Sequence, residues 1–288
     1  MKSSFLKLGM LIAVFVSVVA CTKSVENNDE EKLAENYQQI EKYIADSSLV
    51  ATRDSVGMYY VVRKANPTGN KVKVGDEVNI KFNGFLLNGT KVFSSVNDKN
   101  TSFSYPFGTG LGFVPAGMEL SVNRMRVGEI NTVFMPFPFA YGSYDQGNIP
   151  AHSPLKINIE VVSARSEVKQ IDDFLAKKQF VVSERTSDNL VIVRTNSVTG
   201  DTLGSGKSVT VKYIVKLLDD TKVQEGNYPF TTGTGSVIKG FDRAVRKMRK
   251  GEKIITIFPS SLGYGSTGVN GTVPILPYSP LQYELEVL

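Results

Sequence analysis

The sequence predicts an α+β protein of two tandem domains, each a curved antiparallel sheet wrapped on one short helix. Three observations carry this expectation. The chain repeats itself: Gln39–Ala45 lines up with Gln170–Ala176, an offset of 131 residues that also carries Val62-Arg63 onto Val193-Arg194 and Thr90-Lys91-Val92 onto Thr221-Lys222-Val223. After a shorter loop in the second copy the offset becomes 123, matching Met125 to Met248, Gly128-Glu129 to Gly251-Glu252 and Tyr141-Gly142 to Tyr264-Gly265. Repeats of this length are whole domains and not solenoid units. Each copy also opens and closes on period-two apolar runs, the mark of antiparallel strands with one buried face. The opening runs are Val72, Val74, Val78, Ile80 and Phe82, then Val209, Val211, Tyr213 and Val215; the closing runs are Leu155, Ile157, Ile159 and Val161, then Leu281, Tyr283, Leu285 and Val287. Between them lies one short helical stretch, clearest at Phe241–Lys250 before Gly251, a residue type that ends helices.

From the N-terminus, residues 1–21 read as an export signal. Lys2 and Lys7 precede an uncharged run from Leu8 to Ala20, too short to span a bilayer and suited to a signal h-region. Val18-Val19-Ala20-Cys21 resembles the lipobox of bacterial lipoproteins, in which the cysteine is lipidated and becomes the mature N-terminus. That resemblance implies a bacterial cell-envelope protein anchored by acyl chains, with the outer membrane as the expected site and its face left open. Within residues 22–56, Thr22–Glu31 is polar and acidic and reads as a tether; Leu33, Tyr37, Ile40 and Ile44 then mark an amphipathic helix expected to pack on its own domain. The first domain is assigned to 57–165, a linker helix to 166–186 and the second domain to 187–288.

Composition narrows the chemistry. The 288 residues are 41% hydrophobic and 21% charged, ordinary for a globular chain. One cysteine, Cys21, excludes a disulfide within the chain, and one histidine, His152, leaves too few parts for a zinc site or a Cys-His pair. The net charge of +5 falls to +3 once Lys2 and Lys7 leave with the signal, too mild to argue for nucleic acid. The basic run from Arg243 to Lys253 has no interleaved aromatics and reads as a solvated helix face, as do Asp172-Asp173 and Asp219-Asp220 on a helix and a turn. Gly108-Thr109-Gly110 and Gly233-Thr234-Gly235 read as turns, since neither starts a strand–loop–helix phosphate site. His152 reads as a solvated loop residue.

What remains is apolar. Gly233-Thr-Gly-Ser-Val-Ile-Lys-Gly-Phe241, the basic helix up to Gly251-Glu252 and Leu262-Gly-Tyr-Gly265 together strongly resemble the FKBP-type peptidyl-prolyl cis–trans isomerases. The first copy is similar through Val127-Gly128-Glu129, Pro138-Phe-Ala-Tyr-Gly142 and Ile149-Pro150. The resemblance spans about 57–163 and 187–288 and implies two tandem FKBP-like domains, no cofactor and no metal. It places the catalytic pocket of the second domain at Ile238, Phe241 and Tyr264, with Tyr213, Val223, Tyr228, Val237 and Tyr283 as further walls. Val273 or Ile275 joins them, the register of the loop from Val273 to Pro277 being open. In the first domain it implies Tyr141 with Phe82, Val92, Phe103, Phe113, Val114, Met118, Ile149 and Ile157. The partners so implied are proline-containing or unfolded polypeptides.

Two departures bear on activity. The family's Phe-Asp pair aligns with Val92-Phe93 and Val223-Gln224, so both copies lack the carboxylate at the pocket edge. The family's tryptophan at the helix start is Met118 in the first copy and Phe241 in the second. The first copy also spends extra residues at Phe113–Gly117, so the second pocket is expected to carry more of the activity. Function is therefore expected to be prolyl isomerisation in the folding of exported proteins, weakened by the missing carboxylate. The alternative is a noncatalytic chaperone or peptide-binding lipoprotein with degenerate pockets.

Overall fold

The computed structural model describes residues 28–96 and 101–288; the export signal and Cys21 lie outside the described residues, as does most of the predicted tether. The chain opens on helix α1 (Asp29–Asp46), then β1 (Thr52–Arg53), β2 (Tyr59–Lys64), β3 (Glu77–Leu86), β4 (Lys91–Ser94), β5 (Phe103–Pro106), α2 (Ala116–Arg124), β6 (Ile130–Met135) and β7 (Leu155–Arg165). The second half runs α3 (Glu167–Lys178), β8 (Glu184–Arg185), β9 (Val191–Arg194), β10 (Ser208–Leu217), β11 (Lys222–Thr231), α4 (Lys239–Arg246), β12 (Lys253–Phe258) and β13 (Leu281–Val287). All pairing between these strands is antiparallel. The first sheet has the order β1-β2-β6-β7-β3-β4 with β5 also on β3, and the second has β11-β10-β13-β12-β9-β8. The closing strand of each copy lies at the centre of its sheet, and its alternating apolar residues Leu155, Ile157, Ile159 and Val161, then Leu281, Tyr283, Leu285 and Val287, are buried.

One face of each sheet holds the short helix. In the first domain Met118 and Val122 of α2 pack on Val78, Ile80, Val133, Ile157 and Ile159. In the second, Phe241, Ala244, Val245 and Met248 pack on Val211, Val215, Ile254, Tyr283 and Leu285. The opposite face is covered by the helix that precedes each domain. Ile40 of α1 is buried with Tyr59, Val61 and Phe134; Ile171, Phe174 and Leu175 of α3 are buried with Val191, Val193 and Ile257. The segment read as a linker helix is therefore the second cover of the second domain. At the boundary the Tyr278 ring lies over Gly75, where an added Cβ would come within 3.1 Å of it.

Several expectations need correction. Helix α1 already includes Asp29, Glu30 and Glu31, because acidic side chains in a first turn complement the helix N-terminus. The opening strand of the first domain starts at Glu77; Val72 and Val74 precede a turn at Gly75 (φ +89°), and Val74 is exposed. The last helix ends at Arg246 rather than Lys250, since the N–H groups of Gly204 and Leu203 donate to the carbonyls of Arg246 and Met248. The match of Val62 to Val193 is off by one. Tyr59 faces Phe134 and Val191 faces Ile257, so Val61, not Val62, is the counterpart of Val193. A one-residue slip reverses the face a side chain takes, and Val62 is 62% exposed where Val193 is 7% exposed.

The charges are also tied down more than the sequence suggested. Of the basic run, Arg243 pairs with Asp188, Lys247 with Glu184 and Lys253 with Glu286. The Arg243 guanidinium holds the Asp188 carboxyl down at about 2. Asp172 pairs with Arg185 at 2.6 Å, and Asp220 with Lys178 at 2.7 Å. His152 is not an idle loop residue: its Nε2 lies 2.8 Å from Asp29 Oδ1 and its ring meets Phe137 edge-on, so it docks α1.

Candidate functional site

In the second domain a cavity of about 750 Å³ opens between α4, the hairpin β10–β11 and the loop from Tyr264 to Ile275. All ten residues implied for this pocket line it: Tyr213, Val223, Tyr228, Val237, Ile238, Phe241, Tyr264, Val273, Ile275 and Tyr283. Both candidates for the open register are present. The loop folds back on itself, Val269 and Ile275 exchanging N–H···O bonds of 2.8 and 2.9 Å, so Val273 reaches the mouth and Ile275 is buried. Val215, Gln224, Ser236, Val269, Asn270, Gly271 and Thr272 also line the cavity and were not among the implied walls. Val215 was legible as one more inward position of an alternating strand; the loop residues carried no periodic signal.

Each wall has a local cause. Tyr213 and Val215 alternate inward along β10, opposite Gly226 and Gln224 of β11. A bulge after Val215 leaves Val223 unpaired and turns it into the cavity, although it neighbours Gln224 in sequence. Phe241 sits in the first turn of α4 and forms the floor, its ring 5.5 Å from Phe230 and Tyr283 and 6.2 Å from Tyr213. Such edge-to-face and tilted contacts favour a rigid aromatic floor. Gly240 is required beside it, because a Cβ there would fall 2.6 Å from the Phe258 ring.

The loop ahead of α4 is held by a charge. Asp242 Oδ1 accepts the Gly233 N–H at 2.7 Å, and Glu119 Oε1 accepts the Gly108 N–H at the same distance in the first domain. The two Gly-Thr-Gly segments are thus turns tied to the following helix, with φ of +79° at Gly233 and +77° at Gly108. This tie places Val237 and Ile238, and no protein acceptor among the described residues takes the Ile238 N–H. Replacing Asp242 by alanine should loosen the loop and raise KM for an X–Pro peptide about three- to tenfold with a smaller change in kcat. Asp242→Asn, which keeps the acceptor, should restore most of it.

The polar side chains of the lining are hydroxyls and the two amides Gln224 and Asn270. Burial pushes the Tyr283 phenol well above its ordinary range, with the Tyr264 and Tyr213 hydroxyls as its polar neighbours. Burial raises the Tyr213 phenol as well. Among the described residues that line the cavity there is no Asp, Glu, Lys, Arg or His.

The first domain brings its set together differently. Val114, Met118, Ile149 and Ile157 are buried, and Phe82, Val92, Phe103 and Tyr141 pack on that core. Phe113 does not join them inside; it is 41% exposed and touches Tyr105 at the rim, because the extra residues before α2 carry it outward. Phe93 occupies the space between the walls. Its ring stands 5.9 Å from Phe82 and 5.8 Å from Tyr141, the counterparts of Tyr213 and Tyr264. It lies over Gly84, where a Cβ would come within 2.2 Å of it. The cross-strand pair Gly84–Phe93 thus answers Val215–Gln224 in the second domain. A glycine opposite an aromatic fills the first site from within, whereas valine opposite an exposed glutamine leaves the second one open.

A sheet wrapped on an enclosed helix and edged by a tyrosine, present twice, with an apolar pocket open in the second copy, defines a tandem pair of prolyl-isomerase-type domains. The FKBP-type peptidyl-prolyl cis-trans isomerase family matches residues 68–162 and 200–288, and the chain belongs to that family. It is 30% identical to human peptidyl-prolyl cis-trans isomerase FKBP9 over 221 residues, covering 74% of this chain and 35% of that protein. It is 25% identical to rat FKBP4 over 262 residues, covering 90% and 54%. The chain therefore matches about a third to a half of the length of these relatives. Among solved structures, the three FKBP domains of wheat FKBP73 align at 24% identity with a TM-score of 0.41, over 81% of this chain and 94% of that one. FkpA from Escherichia coli aligns at 22% identity and 0.40, over 48% and 62%.

Proposed function

We propose that the chain is a peptidyl-prolyl isomerase of the bacterial cell envelope that assists folding of exported proteins through the pocket of its second domain. The observation that carries this is the cavity whose floor is Phe241 and whose edges are Val237, Ile238 and Tyr264. Rotation about an X–Pro bond faces a barrier of about 18–20 kcal/mol because amide resonance must be broken. The twisted transition state is less polar than the planar ground state, so an apolar site that sheds water favours it without a nucleophile or base. The aromatic floor takes the pyrrolidine ring, while the free Ile238 N–H and the Tyr264 hydroxyl hold the flanking carbonyls.

Gln224, at the place of the family carboxylate, supplies no charge, so turnover is modest. The first domain, with Phe93 between its walls, contributes little isomerisation. NMR exchange between the cis and trans signals of a short X–Pro peptide tests the reading. Exchange accelerated by the full lipid-free chain supports it; no acceleration, with retained binding of unfolded polypeptide, moves the function to a noncatalytic chaperone.

Ala20-Cys21 ends the short apolar run, so Cys21 carries the acyl chains. Among the described residues no helix is long and apolar enough to cross a membrane. Metabolic labelling with a palmitate analogue should mark the mature chain, and Cys21→Ser should abolish the label. An unlabelled, membrane-free wild type would refute it.

A further inference from the structure

The helix in front of each domain does more than cover its sheet. The first residue of α3, Glu167, aims its carboxylate at the short 3-10 turn Ser260–Leu262, accepting the Ser260 Oγ–H at 2.8 Å and the Ser260 N–H at 2.5 Å. Ser260 is buried, and its carbonyl in turn accepts the N–H groups of Gly263 and Gly265, both at 2.8 Å. Those two glycines flank Tyr264. A chain of hydrogen bonds therefore runs from the inter-domain helix to the backbone on either side of the pocket hydroxyl.

The first domain repeats the device with different chemistry. Asn36 of α1, 131 residues before Glu167, accepts the Phe137 N–H at 2.9 Å through Oδ1, and the Phe137 carbonyl accepts the N–H groups of Ala140 and Gly142, which flank Tyr141. Two copies that differ at most surface positions both keep a helix side chain on this turn. A tie that merely fastened a helix to a sheet would not need to end on the segment that carries the tyrosine.

We propose that Glu167 is a positioning residue for Tyr264: through Ser260 it fixes the turn that holds the Tyr264 hydroxyl at the pocket edge, so that helix α3 sets the geometry of the second site. The proposal rests on the isomerase reading of that pocket. It also follows that the loss on removing Glu167 is bounded by what the Tyr264 hydroxyl itself contributes. One hydrogen bond to a neutral group corresponds to about a two- to tenfold effect.

The test is a double-mutant cycle in the full lipid-free chain, read as catalysed cis–trans exchange. Glu167→Ala should lower kcat/KM about two- to fivefold, no more than Tyr264→Phe does. The double variant should match Tyr264→Phe alone, and Glu167→Gln, which keeps one acceptor, should recover part of the loss. With 13C-labelled tyrosine, Glu167→Ala should move the Tyr264 signal while leaving that of Tyr228, on β11, in place. An equal loss from Glu167→Ala with and without the Tyr264→Phe change, or an unmoved Tyr264 signal, would overturn the proposal. If Glu167→Ala melts below the assay temperature, Glu167→Gln carries the same cycle and the same signal test. A wild type that accelerates no exchange would instead sink the isomerase reading, and the tyrosine signals would still decide whether Glu167 sets the turn.

Discussion

Replacing Phe241 by alanine should lower catalysed X–Pro exchange by about 100-fold or more, a transition-state loss of about 2.7 kcal/mol. The ring is 5% exposed and touches Tyr213, Phe230 and Tyr283, so its removal opens the floor to water where the twisted amide needs a dry surface. Phe→Ala changes in cores also cost about 3–5 kcal/mol of stability, so folding must be monitored beside activity. Phe241→Leu keeps much of the volume and should melt close to wild type, yet it still loses the aromatic face. Tyr264→Phe removes one neutral hydrogen bond and should cost only about two- to tenfold. A Phe241→Ala chain that stays folded and retains more than half of the activity would place the proline ring elsewhere.

Cutting the chain at residue 187 should leave a second domain that no longer melts cooperatively, whereas a fragment of residues 166–288 should do so. The short fragment loses Ile171, Phe174 and Leu175, which cover Val191, Val193 and Ile257, and it loses the Glu167 tie to Ser260. Each buried apolar side chain of this size contributes about 1.5–3 kcal/mol, against a total of about 5–15 kcal/mol for a typical domain. The three together are enough to bring the fragment to its folding threshold. Calorimetry on the two fragments decides it; equal, sharp melts would mean that α3 is only a connector.

Much of this architecture was legible because it is written in local patterns. The alternation of Tyr213 and Val215, the closing strand at Tyr283 and the Phe241 helix start all follow from periodicity and from turn residues. The motif residues at Val237, Ile238 and Tyr264 converge because those elements have one way to pack. The slip at Val62 arose because the offset between the copies grows from 131 at Asn36 and Glu167 in the leading helices to 132 at Tyr59 and Val191 in the strands that follow, a change that similarity at the two ends conceals. Phe93 was legible as a lost carboxylate but not as an occupant, since its place depends on Gly84 across the strand pair. The ties from Asn36, Asp242 and Glu167 join residues 101, 9 and 93 positions from their partners, and single polar side chains carry no period to reveal them.

A prolyl residue is expected to enter the second domain and not the first. Intermolecular NOEs from a peptide carrying 13C-labelled proline to the methyl groups of the full chain test it directly. The expected result is contact from the pyrrolidine ring to Val237, Ile238 and Ile275, with none to Met118. NOEs to Met118 with Val237 and Ile238 silent would place the proline in the first domain instead.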